Sequence, residues 1–224
     1  MKISKIILLS LLMIVPAGII FFVSSFGKNQ YTLPVYFAED SIVTKGGKYK
    51  ITQAYSVPDF NLIDQDRKPI TQKQLKGDIY VADFFFTRCG SICPKMSTQL
   101  TRVQAEFEKD SGVKIISFTV DPKNDTVEVL KQYANDYNAI EGKWRFVTGS
   151  KDSIYALAQK GFFITAMEDK NHPIDFIHSD KLVLVDKKGW IRGYYNGTDI
   201  KEVDKLMTEI RVLQQIYADE SVDK

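Results

Sequence analysis

Two cysteines separated by three residues are the side chains of this 224-residue sequence best suited to chemistry. Cys89 and Cys93 lie between an apolar run, IYVADFFF at 79–86, and a helical pattern that begins near Pro94. Backbone N–H groups at a helix N-terminus favour thiolates, which attack disulfides and bind soft metal ions. The pair is therefore a candidate redox dithiol or a candidate metal site.

The four-residue spacing restricts how the two sulfur atoms can meet. Cβ atoms at positions i and i+4 of a regular helix lie about 5–6 Å apart, whereas a disulfide needs about 3.5–4.5 Å. A redox disulfide between Cys89 and Cys93 therefore requires Cys89 in the loop and only Cys93 near the helix. A purely structural disulfide is an open alternative, although closing so short a loop stabilises a fold little.

His178 and His172 are the two histidines of the sequence, and both follow the cysteines at a distance. His178 directly precedes a predicted strand, KLVLVD, and His172 lies in a polar loop. Two thiolates and one imidazole form a three-ligand set suited to Cu(I) or Cu(II). Closed zinc sites usually take four ligands, for which His172 is the candidate. The residues alone therefore indicate a candidate metal site of Cys89, Cys93 and His178, for copper or, with His172 as a fourth ligand, for zinc.

Strand-like and helix-like segments alternate around these residues. Predicted strands cover 79–86, 113–120, 144–148, 181–186 and 190–195, and predicted helices begin near 94, 126, 152 and 200. The last two strands flank Lys187–Lys188–Gly189 as a hairpin. The order β-α-β-α-β-α-β-β-α predicts an α/β sandwich of thioredoxin-like type, with a mostly parallel central sheet and an antiparallel edge hairpin.

The first 26 residues have a different character from the rest. Ile6–Phe26 is a run of 21 residues without a charge, which is long enough for a transmembrane helix. Lys2 and Lys5 favour a cytoplasmic N-terminus. We expect an anchor at 1–26, with a cleaved signal peptide as the alternative, a tether at 27–50 and a domain at 51–224. These features predict a single-pass protein of a bacterial cell membrane whose domain lies on the periplasmic side, where disulfides persist.

Charge and composition exclude one broad class of partner. The chain has 30 basic and 28 acidic residues, a net charge of +2, and no long basic run. Nucleic-acid binding is therefore not expected.

Five segments resemble the Sco/SenC family of cytochrome c oxidase assembly proteins. FTxCxxxCP at 86–94 resembles the family's copper-binding loop, and PDFxL at 58–62 its domain entry. TVDP at 119–122, Trp144 with TG at 148–149, and His178-Ser179 followed by DxxG at 186–189 occur in the same order as in the family. The resemblance covers approximately residues 51–215.

This resemblance implies a copper chaperone, not an enzyme with turnover. Copper would be held by Cys89, Cys93 and His178 and delivered to the dinuclear copper site of a respiratory oxidase, with thiol reduction of that site as an added role. Asp121 would fix the loop behind the ligands. The expected partners are the copper-site subunit of cytochrome c oxidase, an unidentified copper donor and the membrane. Gly90 stands where the family often has proline, which removes no ligand.

Two further functions use the same cysteines. A thiol–disulfide oxidoreductase would use Cys89 and Cys93 with His178 incidental, although such enzymes of this fold generally carry C-x-x-C. A thiol peroxidase usually has threonine three residues before its reactive cysteine, whereas Thr87 lies two before Cys89.

Overall fold

The computed structural model describes residues 11–22, 32–43, 49–164 and 179–222. The chain divides into two compact units, Met1–Thr32 and Leu33–Lys224. In the first unit, residues 11–22 form helix α1, and their side chains are exposed. Within the described ranges, no helix combines the length and the apolar character needed to cross a membrane. Part of the predicted anchor at 1–26 lies outside those ranges.

The second unit is built on a seven-stranded mixed sheet. In chain order, the described strands of the second unit are β1 (Ala38–Val43), β2 (Tyr49–Ala54), β3 (Asn61–Asp64), β4 (Pro69–Thr71), β5 (Ile79–Phe85), β6 (Val113–Thr119), β7 (Trp144–Thr148), β8 (Lys181–Val185) and β9 (Ile191–Asn196). The sheet has the order β4-β3-β7-β6-β5-β8-β9, and β1 and β2 form a separate antiparallel pair.

Helices cover this sheet and connect its strands. They are α2 (Gln72–Leu75), α3 (Ile92–Glu106), α4 (Val127–Asp136), α5 (Lys151–Ala156), which continues into a π-helical turn at Leu157–Gly161, and α6 (Ile200–Val222). Helix α3 contacts α6 and β6, α4 contacts β7, and α6 contacts β9. The protein thus has a thioredoxin-like α/β fold, as predicted from the order of its elements.

The prediction of a mostly parallel sheet is correct only for the centre. Strands β5, β6 and β7 pair in parallel, whereas β3–β4, β3–β7, β5–β8 and β8–β9 are antiparallel. The additional antiparallel edge is the β3–β4 hairpin, whose turn is closed by Asp64. One carboxylate oxygen of Asp64 accepts hydrogen bonds from the backbone N–H groups of Asp66 and Lys68, both at 2.9 Å. Aspartate side chains commonly close tight turns in this way.

The central strand β5 is buried at every position, which is why its sequence is a continuous apolar run rather than an alternating one. Phe84 stacks on Phe118 of β6 with ring centroids 5.0 Å apart. Phe85, on the other face, contacts Phe146 edge-to-face at 5.4 Å. These rings fix the end of β5 from both sides, and the cysteine loop begins directly after it.

Part of the segment predicted as a tether at 27–50 is folded. The second unit begins at Leu33, and β1 (Ala38–Val43) pairs with β2 (Tyr49–Ala54). The buried side chain of Arg192 on β9 donates hydrogen bonds to the carbonyl oxygens of Pro34 and Leu33, at 2.8 and 2.9 Å. Asp186 binds the same guanidinium group at 2.8 Å. The chain is therefore attached to the sheet from Leu33 onward.

Candidate metal centre

The two cysteines lie where β5 passes into α3. Cys89 is in the loop, and Cys93 is the second residue of the helix, which begins at Ile92. This is the arrangement that the spacing required for the two sulfur atoms to approach each other. Pro94 is the third helical residue rather than the first, and its missing N–H costs nothing because the first four N–H groups of a helix have no helical partner.

Both cysteines are free thiols, and both are largely buried. The backbone N–H of Cys93 donates to Sγ of Cys89 at 3.5 Å. Sγ of Cys89 also lies 3.6 Å from the hydroxyl of Ser91. The loop is closed on its other side by a hydrogen bond from the Cys89 N–H to the carbonyl of Phe86. The helix N-terminus thus holds the sulfur of Cys89 in a turn of backbone donors.

The two thiols differ in acidity. Burial of Cys89 opposes its ionisation, but hydrogen bonds from the backbone of Cys93 and of Ser91 outweigh burial and lower the pKa of this thiol. Burial raises the pKa of Cys93 well above its ordinary value, and the nearby charges of Cys89 and Asp83 add to that effect. Cys89 is therefore the thiol that ionises first.

Asp125 holds the start of the cysteine loop. Its carboxylate is fully buried and accepts hydrogen bonds from both the N–H and the hydroxyl of Thr87. The hydroxyl of Thr119, at the end of β6, donates to the same carboxylate. Thr87 lies two residues before Cys89, so Asp125 joins the loop to the neighbouring strand.

Asp121, the predicted supporting residue, also contacts the loop. Its buried carboxylate accepts a hydrogen bond from the guanidinium group of Arg88 at 2.6 Å. The side-chain amide of Asn124 donates to both of its oxygens, at 2.9 and 3.0 Å. Asp121 thus contacts the residue that precedes Cys89, and it is brought to the loop beside Asp125.

Asp83 is a buried acid on β5 to which the sequence analysis gave no role. Burial raises the pKa of its carboxyl group to about 7, although the hydroxyl of Ser117 donates to it. Ser117 in turn accepts a hydrogen bond from the indole N–H of Trp144 at 2.9 Å. Its signal in the sequence was an ionisable residue inside an otherwise apolar strand, IYVADFFF.

His172 and His178 lie outside the described residues, so their predicted roles stay predictions. Among the ranges that the structure describes, no three His, Cys, Asp or Glu side chains are grouped closely enough to hold a metal ion. The chain that follows His178 is well placed. Strand β8 pairs antiparallel with β5 through Ala82↔Val183. The first residues of β8 therefore lie beside the last residues of β5, where β5 leads into the cysteine loop.

The comparisons with known proteins agree on one family. The SCO1/SenC family model matches residues 49–214. The SCO1 protein homolog of Bacillus subtilis is 33% identical over 168 residues, which cover 74% of this chain and 86% of the relative.

Solved structures are similar in fold as well as in sequence. BsSco, described as a member of the Sco family of cytochrome c oxidase assembly proteins with a disulfide switch, is 33% identical with a TM-score of 0.61, over 70% of this chain and 92% of its own. Arabidopsis thaliana ScoI with copper bound is 26% identical with a TM-score of 0.58, over 70% of this chain and 99% of its own. The chain therefore belongs to the SCO1/SenC family.

Proposed function

We propose that this chain binds copper as cargo and delivers it during assembly of a respiratory cytochrome c oxidase, acting stoichiometrically and not as an enzyme with turnover. The observation that carries the proposal is the pair of free thiols, Cys89 and Cys93, held at a strand-to-helix turn in a member of the SCO1/SenC family. Thiolates are soft ligands that suit Cu(I). The copper-bound Arabidopsis relative supports this assignment.

Cys89, Cys93 and His178 are the proposed ligands. The cysteines supply two thiolates from one short loop, and His178 supplies an imidazole nitrogen. The topology supports this third ligand, because β8 begins at Lys181, three residues after His178, and its first residues lie beside the end of β5.

Copper binding would proceed from the more acidic thiol. Cys89, with its lowered pKa, offers a thiolate first. The pKa of Cys93 is raised by burial, so this residue binds copper only as its proton is displaced by the metal. The backbone N–H of Cys93 donates to Sγ of Cys89, so the sulfur of Cys89 is held at the first turn of α3 before copper arrives.

We further propose that residues 1–26 attach the chain to a bacterial cell membrane. The uncharged run at 6–26, preceded by Lys2 and Lys5, supports a cytoplasmic N-terminus and a domain on the periplasmic side. The copper-site subunit of the oxidase, itself at a membrane, is the proposed recipient.

Anaerobic titration with Cu(I) against a competing chelator tests the site. The reduced full-length chain in detergent should bind one Cu(I) tightly. His178→Ala should weaken binding strongly, whereas His172→Ala, the matched control six residues away, should leave it unchanged. Cys89→Ser and Cys93→Ser should each abolish competitive binding.

Two results would contradict this proposal. Equal Cu(I) affinities of the wild-type chain and the His178→Ala variant would show that His178 is not a copper ligand. Failure of the wild-type chain to compete for Cu(I) would remove the copper site altogether.

A second activity, thiol–disulfide exchange, is favoured by the difference between the two thiols. In this chemistry one thiolate attacks the substrate disulfide, and a second thiol then resolves the mixed disulfide. Cys89, with its lowered pKa, fits the attacking role, and the buried Cys93 fits the resolving role. In copper-free protein, Cys93→Ser should trap a mixed disulfide at Cys89 when a disulfide substrate is added. Absence of any trapped species would exclude this activity.

A further inference from the structure

Five aromatic side chains form a continuous patch on the surface of the second unit. The members of this aromatic patch are Tyr36, Phe37, Tyr55, Phe163 and Tyr194. The rings of Phe37 and Phe163 have centroids 4.1 Å apart, Tyr55 contacts Phe163 at 4.8 Å, and Tyr36 contacts Tyr194 at 5.2 Å. Exposure is 39% for Tyr36, 45% for Phe37 and 39% for Phe163. Aromatic rings clustered and exposed in this way commonly mark an interaction surface.

The backbone at both phenylalanines is strained. Phe37 has a φ of 57° and Phe163 a φ of 51°, a left-handed conformation that bulky side chains rarely adopt. Strained residues persist only where the surrounding structure holds them in place, and they cluster at functional sites. Both rings are more than a third exposed, so core packing does not account for the strain.

The patch presents ring surfaces rather than hydroxyl groups at two of its tyrosines. The hydroxyl of Tyr55 donates to the carbonyl of Lys160 at 2.7 Å, and that of Tyr194 donates to the carbonyl of Phe162 at 3.0 Å. Their polar ends are therefore satisfied by the protein, which leaves the rings for apolar contact. Exposed apolar rings such as those of phenylalanine can bury their surface at the boundary between lipid headgroups and acyl chains.

The position of the patch along the chain favours the membrane as its occupant. Its first member, Tyr36, follows Leu33 and Pro34, whose carbonyls are held by Arg192. The proposed anchor ends at Phe26, and the seven residue steps from Phe26 to Leu33 span at most about 25 Å. The backbone N–H of Tyr36 is fixed to β9 through the carbonyl of Ile191. With residues 1–26 attached to a membrane as proposed, the covalent chain would keep the aromatic patch near the bilayer.

From these observations we propose that the aromatic patch docks on the lipid bilayer at its interfacial region. This inference rests on the proposed membrane attachment. Contact with lipid would hold the copper-binding unit against the membrane instead of leaving it free on its tether.

Quenching of tryptophan by brominated lipid tests this contact. The full-length chain is reconstituted in vesicles of phosphatidylethanolamine and phosphatidylglycerol with bromine on the acyl chains. Phe37→Trp places the probe in the patch, and Ile140→Trp is the matched control, because Ile140 is 38% exposed. The signal of the two native tryptophans is subtracted using the unsubstituted chain. The tryptophan at position 37 should lose most of its emission, and that at position 140 should lose little.

Removal of the second strained ring checks that the patch acts as a unit. Phe163→Gly, added to Phe37→Trp, removes a ring while glycine accepts the positive φ without strain, so the fold should be retained. Quenching at position 37 should decrease. Copper binding by the same variant should be unchanged, which separates failure of this inference from failure of the proposed function.

Three results would overturn the inference. The full-length chain could fail to float with vesicles in a density gradient, which would remove the membrane attachment. It could float without quenching at position 37, which would show that the patch faces water. The tryptophan at position 37 could be unquenched by bromine yet become better protected from acrylamide as the ratio of protein to lipid is raised. That result would assign the patch to a second copy of the chain.

Discussion

The carboxylate of Asp125 binds both the backbone N–H and the hydroxyl of Thr87, two residues before Cys89. The same carboxylate binds Thr119 at the end of β6. One fully buried acid therefore connects the cysteine loop to the strand beside it. Both the stability of the fold and the geometry of the two thiols should therefore depend on Asp125.

Asp125→Asn should therefore affect both properties. Asparagine has one acceptor oxygen, and its NH2 group would face the hydroxyl donors of Thr87 or Thr119. We expect a loss of about 2–4 kcal/mol in the free energy of unfolding and weaker Cu(I) binding. Urea denaturation and chelator competition measure the two effects. Asp136→Asn, at an exposed aspartate on α4, is the control, and equal behaviour of the two variants would contradict the role of Asp125.

Asp83 should make stability depend on pH. Burial raises the pKa of this carboxyl in the folded chain to about 7, above its value in the unfolded chain, so the unfolded state loses the proton first. Stability should fall as pH rises from about 4 to about 7 and then level off, by at most about 4 kcal/mol. Asp83→Asn should lack this fall and be more stable than the wild type at pH 8.

Urea unfolding midpoints at pH 4 and pH 8 test the prediction for Asp83. The wild type and Asp83→Asn should have similar midpoints at the lower pH and different ones at the higher pH. Parallel shifts of both proteins with pH would show that Asp83 does not titrate in this range.

The two thiols should react with alkylating agents at different rates. Only the thiolate reacts, and the pKa of Cys89 is lowered whereas that of Cys93 is raised. At pH 7, copper-free Cys93→Ser should be alkylated by iodoacetamide at Cys89 more than about tenfold faster than Cys89→Ser is alkylated at Cys93. Mass spectrometry over a time course gives both rates. Similar rates, or a faster Cys93, would be inconsistent with the hydrogen bonds to Sγ of Cys89.

The ion pair between Arg88 and Asp121 should divide unequally between its partners. The side chain of Arg88 is 59% exposed and that of Asp121 is 6% exposed. Arg88→Ala should cost less than about 1 kcal/mol, as exposed ion pairs do. Asp121→Ala should cost about 2–3 kcal/mol, because it also leaves the side-chain amide of Asn124 without the two carboxylate oxygens that accept from it. Denaturant titration of each variant measures the two costs, and equal losses would refute this asymmetry.

Local sequence patterns were sufficient to predict most of the elements near the site. The apolar run at 79–86, the helical spacing after Cys93 and the hairpin around Gly189 each carry a strong periodic or turn signal, and each corresponds to an element of the fold. The loop position of Cys89 followed from the geometry of two linked sulfur atoms.

Other features depend on contacts that are distant in sequence. The hairpin of β3 and β4 has strands of four and three residues, too short for a periodic signal. The burial of Asp83 and the triple acceptor role of Asp125 arise only when β5 and β6 lie side by side. The attachment of Leu33 through Arg192 joins residues about 160 positions apart, which no local pattern could reveal.

That attachment at Leu33 also limits how far the second unit could move from the proposed anchor. A tether of 24 residues, as the segment 27–50 would provide, could extend to about 80 Å, whereas the six residues 27–32 reach only about 20 Å. For a chain attached at residues 1–26 as proposed, the volume it can explore shrinks roughly in proportion to the cube of that length. The effective concentration of its thiols toward an oxidase subunit in the same membrane rises accordingly. Arg192 secures the first residues of the folded unit, so with the proposed membrane attachment it would make copper delivery an encounter between close neighbours in the plane of the membrane.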